Sequence, residues 1–240
     1  MSNIPDTIWS GDAFIIEDGN LLRIVCDSEP DDPRNWDNMG TMVCWHRRHT
    51  LGDKHDYQDP NDFLLQLALG KEGYEIEAER QEAYNNDEKY EPDDFTNNQL
   101  VRLASENYAI LPLYLFDHSR LHIGTAPFSC PWDSGQVGYI YVSKEKIFTQ
   151  CMYITEDNWR ERAETILKNE VKTYDDYLSG AVLGYEVWEL KGNEATDLVD
   201  SCSGYYGNET KRNGLLGNFV IVRQVNIETK TRSHTTITIV

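Results

Sequence analysis

Apolar residues along this chain cluster in short runs, mostly β-branched and aromatic, parted by polar segments rich in Asp, Asn, Gly and Pro. Runs of that kind predict strands. The two clearest, residues 110–116 (ILPLYLF) and 137–142 (VGYIYV), have the length of buried strands. Residues 13–17 and 21–26 flank Asp18-Gly19-Asn20, and Asp-Gly between apolar runs signals a hairpin because both turn positions tolerate positive φ. Residues 41–45 read as a further strand. Residues 181–190 alternate as another, with Gly192-Asn193 turning into 198–202. Residues 219–228 and 233–240 read as a closing hairpin across 229–232.

Helical spacing is rarer. Residues 63–69 predict a short apolar helix ending at Gly70, and residues 99–106 one started by Asp94 or Thr96. Ser143 caps a short helix. Trp159, Ala163, Ile166, Leu167 and Val171 fall on one stripe, so residues 156–171 predict an amphipathic helix. Thr173 then caps a separate turn over 174–179, closed by Gly180. Residues 27–40, acidic and Pro-containing, read as an exposed loop. The class expected is α+β: a largely antiparallel sheet with a few packed helices, in one domain spanning 1–240. Residues 71–98, strongly acidic and poor in aliphatics, form an insertion in it, a solvated helix followed by a loop.

Composition changes this picture in one respect. Hydrophobic residues make up 40% of the 240 and aromatics 11%, enough for a sizeable core. Against 22 Lys and Arg stand 41 Asp and Glu, a formal charge of −19. A field of that sign repels nucleic-acid phosphates and attracts basic surfaces. No apolar run has the length of a membrane span, the opening MSNIPDTIWSGD lacks the order of a signal peptide, and five cysteines without paired spacing suit a reducing cytosol. A cytoplasmic protein is expected.

Two stretches carry chemistry. Residues 35–57 place His46, Arg47, Arg48 and His49 at the end of a strand, with Asp53, His55 and Asp56 after a turn at Gly52. Imidazole and carboxylate can bind zinc or another divalent metal, His46, His49, Asp53 and His55 being the set. The spacing matches no standard site, and the two arginines oppose a dication. Residues 117–135 hold Asp117, His118, His122, Cys130, Trp132 and Asp133, with Pro127 and Pro131 fixing φ on either side of Cys130. Cys130 with His118 has the residue types of a thiolate–imidazole pair, oriented by Asp117 or Asp133; Cys130 beside Phe128 and Trp132 reads first as a small hydrophobe in packing. Asp53, Asp56, Asp117 and Asp133 together have the chemistry of a Mg²⁺ site. No Walker A, G-x-G-x-x-G or C-x-x-C signature is present. Tyr139, Tyr141, Tyr205 and Tyr206 read as sheet and core residues rather than a base-stacking platform. The loop 117–135 is expected to be anchored with Trp132 partly buried. If 41–45 and 110–116 share a sheet, both polar loops leave it together, bringing His46 or His49 to Asp117, His118 or Cys130.

The blocks WDNMGTMVCWHRRHTLGDKHDY and LYLFDHSRLHIGTAPFSCPWDSGQVGYIYVSKEKI, with TYDDYLSG and DSCSGYYG, resemble a family of uncharacterised proteins of phages and other bacterial mobile elements. The resemblance implies a bacterial cytoplasm and an accessory role during infection or transfer, and carries no activity. Two functions follow as expectations. One is a non-enzymatic acidic protein that engages a basic host protein, such as a defence nuclease, without binding nucleic acid itself. Its contact surface is the carboxylate row Glu72, Glu75, Glu79 and Glu82 with Asp87, Glu88, Glu91, Asp93 and Asp94, a partial imitation of the charge on duplex DNA. The other is a metal-dependent hydrolase or small-ligand binder using His46, His49, Asp53, His55, His118, Cys130 and Asp117.

Overall fold

The computed structural model describes residues 4–70, 96–231 and 235–240. In chain order the strands are β1 (Ala13–Ile16), β2 (Leu21–Cys26), β3 (Thr41–Cys44), β4 (Tyr108–Asp117), β5 (Leu121–Gly124) and β6 (Ser134–Ser143). They continue as β7 (Val182–Lys191), β8 (Glu194–Tyr206), β9 (Ile221–Val225), β10 (Ile227–Thr231) and β11 (Thr235–Ile239). Helices are α1 (Pro60–Leu69), α2 (Asn97–Ala104), α3 (Lys144–Gln150), α4 (Trp159–Leu178) and α5 (Thr210–Asn213). Every strand pair among the described residues is antiparallel, and the fold is α+β as the patterning indicates. The chain divides into two compact units, residues 1–33 with 173–240, and residues 34–172. The acidic insertion lies outside the described residues, apart from its last positions at the start of α2.

In the first unit seven strands run in the order β10-β11-β8-β7-β2-β1-β9. Strands β9 and β10 stand at opposite ends of that order, yet Asn226 alone joins them. Two peptide steps span at most about 7.6 Å, so the sheet curls until its ends meet. Its two faces carry separate apolar clusters: Ala13, Leu21, Val225 and Ile237 on one, Phe14, Ile16, Leu22, Ile24, Tyr185 and Val187 on the other. Ile8, Leu215 and Leu216 pack against the second. The curl has a visible cause in β8, whose pairing with β7 shifts register three times. Each shift is an extra residue on β8, and a bulge bends and twists the strand that carries it. The expected strand over 219–228 is therefore two: Asn226 breaks it, β9 pairs with β1, and only β10 pairs with β11.

The second unit holds a four-stranded sheet in the order β3-β6-β4-β5. Helix α1 begins at Asp59, whose carboxylate accepts from the N–H groups of Asn61 and Asp62, and ends at Gly70. Thr96 starts α2 in a capping box with Gln99. Phe63, Leu64 and Leu100 from these helices form one core with Val43 and Tyr139 of the sheet. Ser143 caps α3 as expected. Helix α4 does not stop before Thr173: Tyr174 extends the buried stripe of Trp159, Ala163, Leu167 and Val171 by another turn, and that burial overrides the capping preference of threonine. No described helix is long and apolar enough to cross a membrane.

Candidate functional site

The site is built where β3, β4 and β6 end on one side of the second unit's sheet. Gly138 makes the close pairing possible, because a Cβ there would lie 2.0 Å from the Val43 carbonyl oxygen. Trp45 extends the ladder past β3 by donating its N–H to the Val137 carbonyl at 2.7 Å, and Asp117 N–H donates to the Asp133 carbonyl at 2.8 Å. These bonds fix where the polar residues beyond the strands are released.

His46 and His49 fold onto each other in the turn after β3. The His49 backbone N–H donates to His46 Nδ1 at 3.2 Å, and the rings stack with centroids 5.0 Å apart. His46 therefore accepts at Nδ1 and carries its proton on Nε2. Asp117, at the end of β4, receives both Arg48 Nη2 at 2.6 Å and His49 Nε2 at 3.0 Å on one oxygen. The His49 hydrogen bond and the Arg48 charge hold the Asp117 carboxyl below its ordinary range. Burial, then His49 and Arg48, pull His46 below the ordinary histidine value. A neutral imidazole thus sits beside an ionised, doubly bridged carboxylate.

A cleft of about 300 Å³ opens over this group, lined by Trp45, His46, Arg48, Asp117, Trp132 and Gln136 among others. The expected meeting of the two polar loops is found, through His49 and Arg48 on Asp117. Trp132 is a correction. It is 93% exposed rather than partly buried, because the loop is anchored through Asp133 and Ser134 at the start of β6 and by β5 folding back on β4. The indole lines the cleft together with the exposed Arg48.

Cys130 and His118 do not pair with one another. Each meets Asp133 Oδ2, the thiol at 3.6 Å and His118 Nδ1 at 3.7 Å, so the carboxylate stands where a thiolate–imidazole contact would be needed. The set His46, His49, Asp53 and His55 is dispersed by other partners. His55 Nε2 lies 3.1 Å from the Cys44 carbonyl, and its ring lines a second hollow with Lys54, Asp56, Tyr57 and Tyr141. Asp53 faces inward to Arg34. Among the described residues no three His, Cys, Asp or Glu are grouped as a metal ion would require.

That Arg34 cluster is the feature sequence reasoning missed. Residues 27–40 read as an exposed loop, yet the Arg34 side chain is only 4% exposed. Its Nε and Nη2 bind the two oxygens of Asp53 at 2.8 and 2.6 Å, Nη1 reaches Glu170 at 3.3 Å, and Nη2 also donates to the Gly40 carbonyl at 2.9 Å. Asp53 accepts from Met42 N–H at 2.8 Å, and Glu170 from Met39 N–H at 2.8 Å. Burial alone would lower the guanidinium pKa, but Asp53 and Glu170 outweigh it and raise it. Gly52 admits the tight turn, with φ of +69° and no room for a Cβ beside the Met42 carbonyl. Burial, with Asp53 nearby, pushes the Cys44 thiol up to about 12. The cluster ties the chain before β3 to α4 and aims the His46–His49 turn. The only sequence signal was a lone arginine between Pro33 and Trp36, among acids.

The nine carboxylates expected to face a partner, Glu72, Glu75, Glu79, Glu82, Asp87, Glu88, Glu91, Asp93 and Asp94, lie outside the described residues. Charge is uneven elsewhere as well. The first unit carries 17 Asp and Glu against 7 Lys and Arg, while the second, without residues 71–95, carries 14 against 12. Asp27, Asp31 and Asp32 gather near Tyr206, whose hydroxyl donates to the Asp31 carbonyl. Burial and those three carboxylates push the Tyr206 hydroxyl up to about 12. Comparison with protein-family models, curated proteins and solved structures gives no match.

Proposed function

We propose that the chain is a non-enzymatic acidic interaction protein that engages a basic, nucleic-acid-binding partner in a bacterial cytoplasm, and that it does so as an inhibitor carried by a mobile element. The observation that carries this reading is the uneven charge. A net excess of ten carboxylates falls on the first unit and seven more on residues 71–95, leaving the rest of the second unit nearly balanced. Solubility alone does not require charge to be segregated in this way. Segregated charge speeds encounter with a basic surface and makes the encounter salt-sensitive.

The test is capture from bacterial lysate on immobilised protein at about 50 mM and about 500 mM salt, the range over which surface electrostatics are strongly screened. The expected result is a basic nucleic-acid-binding protein retained at low salt, released at high salt and displaced by duplex DNA. Changing Glu72, Glu75, Glu79 and Glu82 to glutamine should slow its association and flatten the salt dependence. Retention that salt and DNA leave unchanged refutes the reading.

A second reading is favoured by the meeting of His46, Arg48, Asp117 and Trp132 around that cleft: a small-ligand site. A thermal shift with small metabolites that is lost in a His46→Ala variant would support it.

A further inference from the structure

The longest strand among the described residues is exposed over most of its length. Strand β8 has 13 residues and β11, its neighbour on the outer side, has 5. The two pair at a single position, Glu194 with Thr238. Beyond it, among the described residues, no strand pairs with the outer edge of β8, and residues 196–204 are exposed throughout. Leu198 and Val199 are 50% and 59% exposed. An uncovered edge presents unpaired N–H and C=O groups that either water or an incoming strand must satisfy.

We propose that this edge is a docking site for an extended Lys- or Arg-rich segment of a partner protein, which adds to β8 as a further strand. The inference rests on the acidic-partner reading above and names the surface and the mode. Charge selects the occupant. Strand β8 carries Glu194, Asp197 and Asp200 and no basic residue, Asp197 meets Lys191 Nζ at 3.8 Å in an exposed pair, and Asp27 reaches the far end of the strand to accept the Gly204 N–H. A second copy of this chain would set those acids against their own kind on a unit already in excess by ten carboxylates. Shape points the same way. The three bulges coil β8, which defeats edge-to-edge pairing of two whole sheets, whereas a single chain can follow the coil. Leu198 and Val199 offer apolar contacts between the charges, so the segment that fits carries apolar residues among its basic ones.

The test uses the full chain and a fluorescent ten-residue peptide alternating lysine and valine. Two comparison peptides accompany it, one with every second amide N-methylated and one with glutamate for lysine. The lysine peptide should bind, N-methylation should weaken it at least about tenfold by removing the ladder hydrogen bonds, and the glutamate peptide should not bind. Hydrogen exchange of residues 195–203 should slow with the lysine peptide bound. The pair Glu194→Gln and Asp197→Asn should weaken binding about fivefold. Equal affinity of the N-methylated peptide, or unchanged exchange at 195–203 while peptide binds, overturns strand addition but leaves the acidic-partner reading standing. No salt-sensitive binding of any basic probe overturns both. Protection of 195–203 that grows with protein concentration alone overturns the proposal in favour of a second copy.

Discussion

Replacing Arg34 with methionine should be among the most damaging single changes in the second unit. Methionine fills much of the volume but leaves Asp53 and Glu170, whose side chains are 24% and 14% exposed, without their cation. The Gly40 carbonyl loses its donor as well. Breaking a buried ion pair from one side costs about 3–5 kcal/mol, since the remaining charge stays in a poorly solvated place. The partial exposure of Asp53 puts the expected loss toward the lower end, about 3 kcal/mol, or roughly 10 °C in Tm for a unit of this size. Two units need not unfold together. Thermal unfolding should therefore be paired with native-state hydrogen exchange at Met42 and Val43, where the loss must appear. Arg34→Lys keeps the charge but not the two-pronged contact with Asp53, and should fall between the two. Adding Asp53→Asn to Arg34→Met should restore part of the stability by removing one stranded charge. A methionine variant within about 1 kcal/mol of the parent would mean that the carboxylates are solvated after all and that the cluster does not hold the β3 turn.

Three further outcomes follow from the site. Cys44, its thiol held near 12, should resist alkylation at pH about 8 while exposed Cys26 and Cys202 react promptly; peptide mass spectrometry showing Cys44 modified as fast as Cys26 would contradict this. His46 should titrate below the ordinary 6.5, because the fold disfavours its charged form. The stability gained by keeping it neutral is then complete above that value and lost as pH falls through the lower folded midpoint, and an NMR midpoint at or above 6.5 would remove the claim. Trp132→Ala should change stability by less than about 0.5 kcal/mol, since the indole is in solvent. A loss above about 1 kcal/mol would show that the indole is packed.

Local patterning was legible wherever it coincided with local structure. The Asp18-Gly19 hairpin, the caps at Thr96 and Ser143, the end of α1 at Gly70 and the two long central strands all depend on neighbours in sequence, and all are found. The meeting of the two polar loops was also legible, because a shared sheet direction is enough to bring strand ends together. What escaped is what only distant partners decide. Arg34 is buried because Asp53 and Glu170, 19 and 136 residues away, arrive beside it. Thr173 stays helical because Tyr174 has a buried place to fill. Trp132 is exposed although its composition argues for burial, since the bonds that anchor its loop run through Asp133 and Ser134. The break at Asn226 serves closure of a sheet whose other strands lie far away in sequence.

The Arg34–Glu170 contact also bears on the order in which the chain folds. Residues 34–172 are continuous, so that unit has all its partners within one stretch, whereas the other must join β2 to β7, where Arg23 and Glu186 pair across 163 residues. Closing a loop of that length from an open chain is slow and entropically costly. Once Arg34 and Glu170 are locked together, the free chain between Arg23 and Glu186 shrinks to roughly 30 residues, which lowers the closure cost by about 1.5 kcal/mol. The ion pair then acts as a clasp on an inserted segment, and a ribosome-bound chain can complete the insert before the strand that seals the surrounding sheet has been made.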